Sequence, residues 1–208
     1  MEDVLEVYAE PYDPRRPKVT FDETTKQLIK ETRIPLPAQA GQPQCCDDEY
    51  ERHGTRHLFL FVEPQAGRRH VHVTEQRTKV DCAHEMQWLV DIGYPEAEVI
   101  RVVLDNLNTH KIASLYEAFE PAEARRMARK LELHSTPKHG SWLNMAAIEL
   151  SVLQQQCLDR RIPDADTLKR EIMAWEHQRN AEQATIDWRF SVTDARKKLE
   201  RLYPSLPA

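Results

Sequence analysis

Two carboxylates stand where strand-like runs end. Lys18-Val19-Thr20-Phe21 is β-branched and aromatic and runs straight into Asp22. Val99-Ile100-Arg101-Val102-Val103-Leu104 is a near-continuous apolar run, of the kind buried on both faces of a sheet, and it ends at Asp105. An aspartate at the C-terminal edge of a strand points into the crevice where open α/β sheets bind ligands. Two of them on neighbouring strands would bring hard oxygen ligands together, which suits Mg2+. A pair of such ions about 4 Å apart can activate a nucleophile and steady the leaving oxygen of a phosphodiester. An aspartate that ends a strand is also a common turn former or helix cap, so spacing alone leaves both readings open.

The elements needed to position these acids can be read from the pattern. His57–Val62 is the strongest strand signal, Pro64-Gln65-Ala66-Gly67 a turn, and Arg69–Thr74 an alternating strand, together an antiparallel hairpin. Residues 79–93 have helical spacing, as do pieces over 112–129 broken at Pro121. Leu131-Glu132-Leu133-His134 reads as a last strand. The final third is helical: Asn144 to about Leu158, then a helix capped by Asp164 or Asp166, then a short one over 194–202. Residues 34–54 read as a long loop. Residues 1–17, punctuated by Pro11, Pro14 and Pro17, read as a linker. This order predicts a mixed sheet with helices packed on it, an α/β or α+β domain.

Composition narrows the class. The 208 residues are 40% hydrophobic and 30% charged, enough for a globular core, and no apolar run reaches the roughly 20 residues of a membrane helix. With 29 basic and 34 acidic residues the net charge is −5, so any DNA contact must use a local patch or a separate module. The start, Met1-Glu2-Asp3-Val4, has no secretory pattern, and four scattered cysteines read as reduced thiols.

Several motifs resemble, in order, those of DDE transposases, specifically the bacterial insertion-sequence (six-thirty type) branch of the mariner superfamily. Thr20-Phe21-Asp22-Glu23-Thr24 is similar to the first motif and Val103–His110, with Asp105 and Asn106, to the second. Thr136-Pro137-Lys138-His139-Gly140-Ser141-Trp142-Leu143-Asn144 looks like the third. The stretches Ile186–Phe190, Asp194–Leu199 and Leu202-Tyr203-Pro204 are similar to its C-terminal signature. The resemblance implies an RNase H-like fold, a five-stranded mixed sheet flanked by helices, over residues 18–204, with 205–208 a tail. It implies three acids holding two Mg2+ (or Mn2+) ions, nicking of transposon ends, and attack of the freed 3′-OH on target DNA. Asp22 and Asp105 match the first two acids and would be the metal ligands. The family's third acid is a glutamate that follows Leu-Asn after two intervening residues; here that position is Ala147. Glu149 lies two residues on, and two helical steps turn about 200°, so it is a weak substitute. The expectation is therefore a DNA transposase domain impaired in strand transfer. One alternative is a non-catalytic DNA-binding or dimerising remnant that regulates a full-length partner, and another is a general metal-dependent nuclease on the same fold.

The resemblance also implies DNA partners, both transposon ends and target, a homodimer, and a cytoplasmic, nucleoid-associated bacterial protein. Only 21 residues precede Asp22, too few for a helix-turn-helix reader, which is expected as a separate N-terminal module. Lys138, His139, Ser141, Asn106 and His110 are the candidate DNA contacts, against a plainer reading in which Ser141 or Asn144 caps the following helix. Arg125-Arg126, Arg129-Lys130 and Arg160-Arg161 read as solvated helix faces or a path for the DNA backbone, and Trp142 and Trp188 as core anchors. His70 and His72, sharing one strand face, with Cys82 and His84 downstream, match no standard zinc spacing and read as scattered surface histidines.

Overall fold

A computed structural model describes residues 1–45, 47–106 and 111–203. Five strands form one sheet: β1 (Lys18–Glu31), β2 (Tyr50–Glu63), β3 (Arg68–Thr74), β4 (Ile100–Leu104) and β5 (Leu131–Ser135), in the order β3-β2-β1-β4-β5. β1, β2 and β3 pair antiparallel, while β4 runs parallel to both β1 and β5. Among the described residues seven α-helices surround it: α1 (Glu2–Ala9), α2 (Lys79–Trp88), α3 (Ala113–Ala118), α4 (Pro121–Lys130), α5 (Met145–Leu153), α6 (Ala165–Ala181) and α7 (Val192–Lys198). This is the RNase H-like mixed sheet flanked by helices that the motif order implies.

The two-residue period of the strands sorts the core. Val19, Phe21, Phe59, Phe61, Ile100, Val102 and Leu104 face Cys82, Ala83 and Met86 of α2 with Leu115, Ala124 and Met127 of α3 and α4. Leu58, Leu60, Val62 and Val71 face the opposite way, onto Ala146 and Leu153 of α5 and Leu168, Ile172 and Trp175 of α6. β4 is buried along its whole length, as a central parallel strand must be. Pro121 does not merely break the helical stretch over 112–129; it opens α4 at its first turn, where a missing N–H costs nothing. Asp164, the first of the two proposed caps, accepts from the Thr167 amide at 2.7 Å. No helix among the described residues is long and apolar enough to cross a membrane.

Two expectations need correction. Residues 1–17 are not all linker: Glu2–Ala9 is helical, and Val4, Leu5 and Val7 pack against Val103, Leu143 and Ala195. Only eight residues of pattern precede the proline-punctuated stretch, too short a window for helical periodicity to stand out. The long loop expected over 34–54 is shorter, because β1 continues to Glu31 and β2 begins at Tyr50. The paired ends, Thr24↔Leu58 out to Glu31↔Tyr50, form a largely solvated ribbon. Leu28 and Leu58 are its buried residues, too few to show an apolar alternation. The register shifts between Gln27↔Thr55 and Ile29↔Arg52, and Gly54 takes φ 88° at this bulge. The expected tail at 205–208 lies outside the described residues.

Candidate active site

Thr20 of β1 pairs in parallel with Val103 of β4. Asp22 lies two residues past that pair on β1, and Asp105 two residues past it, directly after β4. Adjacent strands run about 4.8 Å apart, so the two acids follow from neighbouring backbone positions. Phe21 and Leu104 are buried in the α2–α4 side of the core. Alternation therefore turns Asp22 and Asp105 to the other face, where α5 packs. Both are part-buried, and Asp22 Oδ1 accepts from the Glu23 amide at 2.8 Å. Arg77 Nη1 donates to Glu23 Oε1 at 3.1 Å, bringing a cation close to the acidic edge.

The segment after β5 is fastened at the same end of the sheet. The Thr136 amide donates to Leu104 O at 2.9 Å, directly before Asp105. Lys138, His139 and Ser141 follow, all exposed, and Asn106 is exposed beside Asp105. His139 is held in the left-handed region at φ 62°, and a Cβ on Gly140 would come within 2.5 Å of Pro137 Cγ, so this tight turn needs its glycine. His110 lies outside the described residues. Asn144, not Ser141, caps α5: its Oδ1 accepts from the Ala146 amide at 3.1 Å. Its Nδ2 donates to Phe21 O at 2.8 Å, so one buried amide side chain starts the helix and ties it to the strand residue before Asp22.

Ala147 sits one turn past that cap and is exposed. Residues three apart share a helix face, so its methyl lies on the side of Asn144, which is bonded to Phe21 of β1. Glu149 points elsewhere. It is 1% exposed and lies 3.0 Å from Arg69 Nε of β3, while Arg179 of α6 donates to it at 3.1 and 3.2 Å. Asp22 and Asp105 lie just past the last β1–β4 pair, Asn144 ties the start of α5 to Phe21, and Glu149 is held in a buried ion triad with Arg69 and Arg179. Two carboxylates fit a cation that takes one or two protein carboxylates plus substrate oxygens and waters. Among the described residues no group of three or more His, Cys, Asp or Glu is arranged to hold a metal.

Three supports are hard to see in the sequence. Tyr8 of α1 donates its hydroxyl to Leu143 O at 2.9 Å, bracing the turn before α5, and burial raises its phenol well above the usual range. Trp188 packs on Tyr8 with ring centroids 5.3 Å apart, and Trp142, half exposed, meets Phe190 edge-on at 5.4 Å. The basic pairs are partly consumed by ion pairs: Arg126 with Asp91 and Glu123, Arg160 with Glu171, Arg161 with Glu31. Arg125 and Arg129 stay exposed on α4. The histidines are not scattered either. His70 and His72 form one cluster on Trp88, whereas His84 meets Phe119 edge-on and Cys82 is buried, its thiol pushed up to about 12 by desolvation.

The RNase H-like sheet carries Asp22 inside β1, paired with Leu60 of β2, and not at the strand end that the sequence predicts, because β1 runs on into the solvated ribbon; Asp105 directly follows β4. The chain belongs to the DDE superfamily endonuclease family, whose model matches residues 17–169. Among solved structures it is similar to the Mos1 mariner paired end complex with Mn (14% identity, TM-score 0.56, 87% of this chain and 56% of that one). It is also similar to the Mos1 transposase paired-end complex with left transposon end (14%, 0.58, 88% and 56%). A third is the Mos1 strand transfer complex (13%, 0.56, 86% and 56%). The chain thus spans 56% of the length of those transposase chains, and at these identities the likeness is one of fold. No relative matches among curated protein sequences.

Proposed function

We propose that this chain is the catalytic domain of a DNA transposase in which the acid-bearing position of α5 has been emptied. The observation that supports the reading is a shared neighbourhood: Asp22 and Asp105 each two residues past the last β1–β4 pair, and Ala147 exposed one turn beyond the cap that ties α5 to Phe21. Asp22 and Asp105 would hold a divalent cation, Mg2+ or Mn2+, with a second ion once a third carboxylate is present. When bound, such ions activate the attacking oxygen and stabilise the leaving one. The protein's own part is positional. Lys138, His139, Ser141 and Asn106 line the exposed approach and would hold phosphate oxygens through side-chain and backbone donors. Asn144 and Tyr8 fix α5 and its preceding turn against the strands, so position 147 stays aimed at the two acids. A methyl there supplies no charge, and transfer should be severely impaired.

The partners that follow are transposon-end and target DNA, a second copy of the chain so that two ends can be held together, and a helix-turn-helix reader on another segment or chain. The place of action would be the bacterial nucleoid. Supplying the chain and its Ala147→Glu variant with Mn2+ or Mg2+ and a pre-nicked transposon-end oligonucleotide tests the reading. Transfer confined to the glutamate variant supports it, and equal transfer by both contradicts it. The regulatory-remnant reading is favoured by one specific observation: Glu149, the nearest alternative acid, is committed to Arg69 and Arg179. DNA binding without transfer by either version would support that reading instead.

A further inference from the structure

His70 and His72 project from the same face of the edge strand β3, and their Nε2 atoms are 2.8 Å apart with the rings perpendicular. His70 Nδ1 lies 2.8 Å from Glu176 Oε1 of α6, and His72 Nδ1 is hydrogen-bonded to Glu85 Oε2 of α2. Glu176 is itself fixed, its other oxygen accepting from the Val71 amide at 2.9 Å, and Glu85 is buried. A carboxylate can only accept from these rings, so each Nδ1 carries its hydrogen. Both Nε2 lone pairs then converge on one point, and something positive must stand between them, a proton or a metal ion.

We propose that the pair is a binding site for a borderline divalent cation, Zn2+ in the first instance, on the edge strand β3, two strands across the sheet from Asp22. Four features favour a metal over a shared proton alone. Imidazole whose second nitrogen donates to a carboxylate is the usual form of a metal-bound histidine, and here both rings have it. Two glutamates supply the negative charge a dication offsets. The rings are 28% and 31% exposed and open to a cavity of 690 Å3, which leaves room for waters in the remaining positions and is also lined by His177. The fit is close: two nitrogens at 2.0–2.1 Å from a tetrahedral zinc stand about 3.3 Å apart, about half an ångström wider than here. Imidazole selects Zn2+, Cu2+ or Ni2+ over Mg2+, so this site and the Asp22–Asp105 edge take different ions. The cation would join α2, β3 and α6 through their side chains.

Calorimetric titration of zinc chloride into the full chain tests this without reference to DNA activity. The expected result is one saturable equivalent, weakened at least 10-fold by His70→Gln or His72→Gln and 10–100-fold by Glu176→Gln. It should be unchanged in His84→Gln and in the Asp22→Asn, Asp105→Asn double variant. Should a histidine variant fold poorly, NMR of the intact chain decides: zinc should shift both ring Nε2 resonances while both Nδ1–H protons persist. Absence of saturable binding, binding indifferent to His70 and His72, or unmoved Nε2 resonances would overturn the proposal and leave the pair sharing a proton.

Discussion

Glu149 lies 3.0 Å from Arg69, and neither side chain reaches water: the glutamate is 1% exposed and the arginine 0%. Arg69 also donates to Gly67 O, Arg179 O and Ala184 O at 2.9, 3.0 and 2.6 Å, so this guanidinium knits β3 to the end of α6 and the residues beyond. Removing the carboxylate strands a buried cation. Glu149→Ala should cost about 3–5 kcal/mol of unfolding free energy, read from urea denaturation. A loss under about 1 kcal/mol would mean that Glu149 is free for other work, including the role assigned to position 147.

Ala147 should behave in the opposite way. It is exposed, so Ala147→Glu should change stability in the absence of metal by no more than about 0.5 kcal/mol. The variant should instead acquire a metal response. Mn2+ should raise its melting temperature more than it raises that of the parent chain, and Asp22→Asn in the same background should remove the gain. An equal rise in parent and variant would place the metal elsewhere.

Asn144 carries two bonds from one side chain. Asn144→Ala removes a helix cap, worth about 1 kcal/mol, and leaves the buried Phe21 carbonyl without that donor, worth about 1–3 kcal/mol more. The expected sum is about 2–4 kcal/mol by chemical denaturation. Asn144→Asp keeps the cap but sets a carboxylate against the Phe21 carbonyl, so it should recover little of the loss. Full recovery by aspartate would show that the cap alone matters.

Glu63 supplies a pH test away from the site. It is buried, desolvation raises its carboxyl above the ordinary glutamate range, and Tyr94 donates to it at 2.9 Å. A raised carboxyl binds its proton more tightly in the folded chain than in the unfolded one. Its contribution to stability is therefore full at low pH and falls as pH rises from the unfolded value through the folded one. Glu63→Gln should flatten the stability profile on the alkaline side of the ordinary glutamate pKa. An unchanged slope there would show that Glu63 is not the group responsible.

How much of this was legible depends on the range over which each feature is determined. β4 announces itself because a strand buried on both faces is apolar throughout, and the hairpin β2–β3 because its turn is local. The helical angle that excludes Glu149 from the acid site follows from counting, but its engagement by Arg69 and Arg179, 80 and 30 residues away along the chain, does not. Asn144 reads as a cap from its neighbours; its bond to Phe21, 123 residues distant, is a tertiary fact. α1 and the outer ribbon of β1 and β2 escaped for contrary reasons, one too short to show a period and the other too solvated to need one. His70 and His72 share a face by spacing alone, but Glu85 and Glu176, which orient them, come from two different helices.

We propose that one missing carboxylate at position 147 separates this chain from an active DDE endonuclease core. Nicking of supercoiled plasmid in Mn2+, measured side by side for the chain, its Ala147→Glu variant and the variant that also carries Asp105→Asn, tests it most directly. The single variant should nick at least 10-fold faster than both the parent and the double variant. Nicking by the parent equal to that of Ala147→Glu would contradict it.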